Sequence, residues 1–178
     1  MNILVLSGSP RKGGNTDALV DAFAKGASES GHSVSVISVH DVDVHPCKGC
    51  DACFKRSDMS CIQDDDMTGV YKQLAEADML VIASPVYFYG ISSQLKAIID
   101  RCHNPIRDTF HISRAALLLV GAASRPEMFD AIIAEYNLCI SYFDIADAGQ
   151  ILVRRAKEKG DINKTEALEQ AYNLGRGL

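Results

Sequence analysis

Apolar and polar positions along the chain repeat with two periods that take turns. Ile3-Leu4-Val5-Leu6 is a short unbroken apolar run ended by Ser7-Gly8-Ser9-Pro10, which predicts a buried strand entering a tight loop. Behind the loop, Leu19, Ala22, Phe23, Gly26 and Ala27 recur at helical spacing, with Asn15 or Thr16 placed to cap the helix. After Gly31-His32, the segment Ser33 to Val39 alternates polar with apolar, as a half-exposed edge strand does. Met79 to Ser84 is apolar throughout and predicts a central parallel strand buried on both faces. A helix from Ser92 or Ser93 would bury Leu95, Ile98, Ile99 and Cys102. A strand from Ala115 to Gly121 precedes a helix from about Pro126, with Phe129, Ile132, Ile133, Tyr136 and Ile140 as its stripe. The fifth strand falls within 144–153. The last helix opens near Asn163 with Glu166 as in a capping box, and buries Leu168, Ala171 and Tyr172.

One stretch has neither period. From His40 to Asp66 no pattern appears, and a connection of that length is longer than a strand-to-helix loop requires. A helix resumes near Met67, with Asp66 placed as its cap and Asp64 and Asp65 beside its positive end. Five strands alternating with five helices predict a doubly wound α/β sheet over a single domain, 1–178, with a Cys-rich insertion at about 40–66. In such a sheet ligands collect outside the strand ends where the winding reverses, here the ends of the first and third strands.

Composition narrows the partners. Hydrophobic residues at 47% and charged residues at 23% describe a globular chain, and a net charge of -5 argues against nucleic acid. No stretch approaches membrane-spanning length, and the short N-terminal apolar run lacks the features of a signal peptide, so the expected compartment is the cytoplasm.

The two strand-end loops carry the candidate chemistry. Ser7 to Thr16 is a Gly/Ser-rich loop at a helix N-terminus, where free N–H groups, hydroxyls and the helix dipole converge on one point suited to phosphate. The loop lacks the Lys-Ser/Thr pair of a Walker loop, and Ser9 stands where the dinucleotide fingerprint needs its second glycine. Side-chain donors there suit a terminal phosphate, as in a mononucleotide. The other loop, Pro85-Val86-Tyr87-Phe88-Tyr89-Gly90, offers aromatic surface for a flat ring, and Phe88 and Tyr89 serve equally as interface packing. A phosphate grip beside a ring platform points to flavin mononucleotide (FMN).

Leu6 to Arg11 with Gly14-Asn15-Thr16, and Ser84 to Gly90 with Leu95-Lys96 and Asp100-Arg101, resemble the NADPH-dependent FMN reductase family of flavodoxin-like proteins, near its iron–sulfur flavoprotein branch. The resemblance implies a flavodoxin-like sheet in the order 2-1-3-4-5, non-covalent FMN, and homodimers or tetramers. By position, Ser9, Arg11, Asn15 and Thr16 would hold the FMN phosphate. Pro85, Val86, Tyr87, Phe88, Tyr89 and Gly90 would line the ribityl chain and ring, and Gly121 and Ala122 would close the ring's other side. The flavin carries the electron chemistry in such a site, so no catalytic triad is expected.

Cys47, Cys50, Cys53 and Cys61 form Cys-x2-Cys-x2-Cys-x7-Cys. Four thiolates at short intervals suit a four-iron cluster, and this run resembles the cysteine motif of the iron–sulfur flavoproteins. Zinc, with His45 as a substitute ligand, and free or reversibly oxidised thiols are the alternatives. Cys102 and Cys139 stand apart on helix faces as small buried hydrophobes. Three functions follow. The first is an oxidoreductase passing electrons from NAD(P)H through FMN to a quinone, nitro or azo compound, flavin or metal species. The second is an iron–sulfur flavoprotein fed by a ferredoxin-like donor, and the third a flavodoxin-like carrier or redox sensor.

Overall fold

The computed structural model describes residues 1–178. Its five strands are β1 (Asn2–Ser7), β2 (Ser33–Ser38), β3 (Met79–Pro85), β4 (Arg114–Val120) and β5 (Ala146–Val153). They form one all-parallel sheet in the order β2-β1-β3-β4-β5. The helices are α1 (Asn15–Glu29), α2 (Ala52–Lys55), α3 (Met67–Glu76), α4 (Ser93–Arg101), α5 (Asp130–Tyr142) and α6 (Ala167–Arg176). Because side chains alternate along a strand, Ile3 and Val5 face one side and Leu4 and Leu6 the other. The first side packs on Leu19, Val20 and Phe23 of α1 and Ala167 and Ala171 of α6. The second packs on Met67, Val70 and Leu74 of α3 and Leu95 and Ile98 of α4, while Leu117 and Leu119 of β4 meet Ile132 and Tyr136 of α5. The alternating segment at Ser33 is indeed the edge, half-covered on one face.

Helices α1 and α6 cross at a reciprocal pair of glycines. A Cβ on Gly26 would stand 2.0 Å from the Tyr172 carbonyl oxygen, and one on Gly175 would stand 2.2 Å from that of Phe23. Helix starts are where the pattern misleads. The N-cap of α1 is Gly14, not Asn15 or Thr16, and no side chain caps it. Asp66 sits at the start of α3, but its carboxylate accepts from the Asp43 N–H at 2.7 Å, and it is Asp65 that accepts from Met67 N–H at 3.2 Å. The chain around Asn163 is a 3-10 turn, and α6 opens only at Ala167, whose N–H donates to Thr165 Oγ1 at 3.2 Å in place of the capping box. Ser92 caps α4 as its position suggests, accepting from Leu95 N–H at 3.3 Å.

Candidate functional site

A cavity of about 420 Å³ lies where β1 and β3 end. Ser9, Arg11, Lys12, Gly14, Asn15 and Thr16 form one wall, Pro85, Val86 and Tyr87 a second, and Val120, Ala122, Ala156, Lys157 and Lys159 a third. The parallel register builds it. Gly8 N–H donates to the Ala83 carbonyl at 2.7 Å, tying the first loop to β3, and a Cβ on Gly8 would come within 2.7 Å of Leu95 Cδ2. Ser9 Oγ accepts from Arg11 N–H at 3.2 Å, and Gly13, at φ +64, donates to Asp17 at 2.7 Å. The loop is thereby folded over an uncapped helix start, whose first N–H groups lack intrahelical partners. With the Arg11 guanidinium, which no carboxylate pairs, this is a donor set that suits a phosphate dianion.

Asn15 lines the cavity, but its carboxamide is engaged elsewhere. Its Nδ2 donates to the carbonyls of Ala156 and Glu158 at 3.2 and 2.8 Å, and its Oδ1 accepts from Gly160 N–H at 2.9 Å. Gly121 is not among the residues that line the cavity. It is buried against Met128, where a Cβ would meet Met128 Cε at 2.4 Å, and only its neighbour Ala122 reaches the cavity. Phe88, Tyr89 and Gly90 lie outside it. They form a tight hairpin closed by Tyr87 N–H to Gly90 O at 2.9 Å and Gly90 N–H to Tyr87 O at 3.1 Å. Phe88 and Tyr89 both adopt positive φ, 49° and 67°, and Phe88 is 98% exposed.

Lys157 and Lys159 are absent from the sequence-level site. Their signal is weak, a basic pair in the loop after the last strand, and only the fold brings it to the first loop.

The four clustered cysteines line one depression of about 130 Å³ together with Gln63, Tyr71, Arg101 and Asn104. Backbone N–H groups of Gly49 and Gln63 reach the Cys47 and Cys61 sulfurs at 3.4 and 3.5 Å. No three acidic, His or Cys side chains are gathered at metal-binding distance. Beneath the depression, the buried Arg101 guanidinium pairs with Asp65, itself 1% exposed, and donates to the His45 carbonyl at 3.1 Å, while Arg101 Nε has no partner. Burial pushes the Cys53 thiol up from its ordinary value, while the unpartnered Arg101 N–H beneath the four sulfurs suits a group of net negative charge, as a cluster held by four thiolates would be. Cys102 is a different thiol, held in the apolar groove between α4 and α5 and donating to the Ile98 carbonyl at 3.4 Å. Burial, with Cys139 nearby, pushes its pKa up to about 12, which leaves it an inert hydrophobe.

Residues 1–145 match the family model described as NADPH-dependent FMN reductase. An iron–sulfur flavoprotein of Methanocaldococcus jannaschii is 38% identical over 99% of the chain and 94% of its own length. One of Methanosarcina thermophila is 40% identical over 57% of the chain, a match that spans about half, 52%, of that relative. A protein of Bacillus subtilis named as an NAD(P)H-dependent FMN-containing oxidoreductase is 30% identical over 98% of the chain and 96% of its length. Among solved structures, an NAD(P)H:quinone oxidoreductase from Methanothermobacter marburgensis superposes with a TM-score of 0.78, at 16% identity, over 99% of this chain and 95% of that one. A Bacillus anthracis FMN-dependent NADH-azoreductase with FMN superposes with a TM-score of 0.67, at 14% identity, over 99% and 97%. At these identities the two structures establish the fold.

Proposed function

Because the chain belongs to the NADPH-dependent FMN reductase family, we propose that it is an FMN-dependent oxidoreductase that takes hydride from NAD(P)H and delivers electrons to a small acceptor, a quinone, nitro or azo compound, flavin or metal species. The observation that carries this reading is the cavity at the β1 and β3 ends, with a phosphate-type donor set on one wall and Pro85, Val86 and Tyr87 on the next. FMN would supply the two-electron and one-electron chemistry there. Ser9, Arg11 and Thr16 hold its phosphate in this reading, and the main chain of Pro85 to Tyr87 orients the ring. A second copy of the chain would cover the exposed hairpin at Phe88. No helix is long and apolar enough to cross a membrane, and the cytoplasm is the proposed compartment.

Anaerobic titration of purified protein with NADPH, then NADH, tests this. The flavin absorbance should bleach with at least one nucleotide and return when a quinone is added. Protein that binds no flavin, or flavin that neither nucleotide bleaches, would overturn it.

A second reading is favoured by the common depression of Cys47, Cys50, Cys53 and Cys61 over Arg101. Here the four thiolates hold a four-iron cluster, and a ferredoxin-like protein exchanges electrons with it. Iron and acid-labile sulfide would then be present at about four each per chain, and Cys50→Ser would remove them while leaving flavin bound. Iron-free protein purified anaerobically would exclude it.

A further inference from the structure

The third wall of the cavity carries two lysines that neither the loop motif nor the family pattern accounts for. Four cations line this cavity, and their surroundings differ. Lys12 is paired with Asp41 at 2.9 Å, and Lys157 lies 3.6 Å from the exposed Glu158. Arg11 and Lys159 have no carboxylate within ion-pair distance. Lys159 nonetheless reaches back to the first loop, for its Nζ stands 3.0 Å from where a Cβ of Gly13 would be. Two unpaired cations lining one cavity repel each other unless an anion lies between them.

The loop that presents Lys159 is fixed from an unexpected place. Asn15, at the first turn of α1, binds its Ala156 and Glu158 carbonyls and its Gly160 N–H, and the loop's other end is held by Ala156 N–H to the Gly121 carbonyl at 3.1 Å. Both polar atoms of the Asn15 carboxamide are used by the loop, so that group is not free to donate to a ligand.

From this arrangement we infer that the phosphate grip has two halves: Lys159, on the loop after β5, is a direct phosphate ligand alongside Arg11, and Asn15 is a positioning residue that holds that loop in place. The inference rests on the reading of this cavity as an FMN site. It changes the expected ligand set, replacing Asn15 by Lys159, and it makes affinity for the phosphate depend on a long-range contact rather than on the first loop alone.

The test is equilibrium binding of FMN and of riboflavin, which lacks the phosphate, to apoprotein, followed by flavin fluorescence. Lys159 is exposed, so Lys159→Ala leaves the fold intact. It should weaken FMN by about tenfold, the loss of one charge-assisted contact, leave riboflavin unchanged, and flatten the dependence of FMN affinity on salt. Asn15→Ala should show the same phosphate-selective loss, and the double variant should be no weaker than either single one. Equal effects of Lys159→Ala on both flavins, or none on FMN, would overturn the role of Lys159. Additive losses in the double variant would make Asn15 a direct ligand and overturn its positioning role. Wild-type protein that binds riboflavin as tightly as FMN would instead refute the phosphate reading of the cavity itself, and the inference with it.

Discussion

Asp65 and Arg101 show how one residue pair can govern a whole segment. The unpatterned insertion is held to the end of α4 by this ion pair, with side chains 1% and 3% exposed, and by Arg101's bond to the His45 carbonyl. Burial raises the Asp65 pKa, but the Arg101 guanidinium and the N–H groups of His45 and Met67 outweigh it, and the net result lies below the ordinary 3.8. A folded pKa below the unfolded one means the group stabilises the fold above the unfolded value, and that this stabilisation is lost as pH falls through the folded value. Urea unfolding between pH 7 and 2 should therefore show an acid-side loss of stability in the wild type that is smaller in Asp65→Asn. At pH 7, Arg101→Met should be destabilising by about 3–5 kcal/mol, because it leaves a carboxylate buried without its counter-charge. A loss under about 1 kcal/mol would show that water reaches Asp65. Nothing in the local sequence announces this pair. Asp65 sits in an acidic run that reads as a helix start, and its partner lies 36 positions away.

Secondary elements were far more legible, for a physical reason. A face that must be buried imposes period two on Ser33 to Val39 and a helical repeat on Leu19 to Ala27, so the pattern is written wherever the core is. Helix starts depend on which nearby group reaches a free N–H, and at Gly14, Asp65 and Thr165 the answer differs from the simplest spacing rule. The same limit hid Lys159, whose loop is fixed by a residue 145 positions distant. Two helix glycines, one at the α1–α6 crossing and one in α3, give predictions of opposite sign. Gly26→Ala must push α1 away from the Tyr172 carbonyl only 2.0 Å from its Cβ, and overpacking of this kind costs roughly 1–3 kcal/mol. Gly69, inside α3 with nothing within 4 Å of its Cβ position, is a glycine without a packing reason. Gly69→Ala should raise stability by about 0.4–1 kcal/mol, since alanine restricts the unfolded chain more. Thermal and urea unfolding of both variants would check the contrast, and equal signs would mean that the crossing is looser than its glycines indicate.

At the scale of the molecule, the Tyr87 to Gly90 hairpin combines two unfavourable features. Phe88 and Tyr89 are both held at positive φ, a conformation that costs an L-residue about 1–2 kcal/mol. The strain also turns Phe88 outward to 98% exposure, beside Tyr87 at 42% and Tyr89 at 50%. A single chain gains nothing from this, since a looser turn would hide the ring and relax the backbone. Burial of these rings in a contact between two chains would recover the loss, because an aromatic side chain contributes about 1.5–3 kcal/mol when fully covered. Multi-angle light scattering should therefore give the wild type at least twice the mass of one chain, and Phe88→Asp should lower it to one, with the far-ultraviolet spectrum unchanged. Tyr89→Gly, which removes strain at its φ of 67°, should make that monomeric variant more stable by about 1 kcal/mol. If the wild type already sediments as one chain, the exposed hairpin must serve a transient partner or the acceptor itself, and the search for the electron acceptor would begin at Phe88.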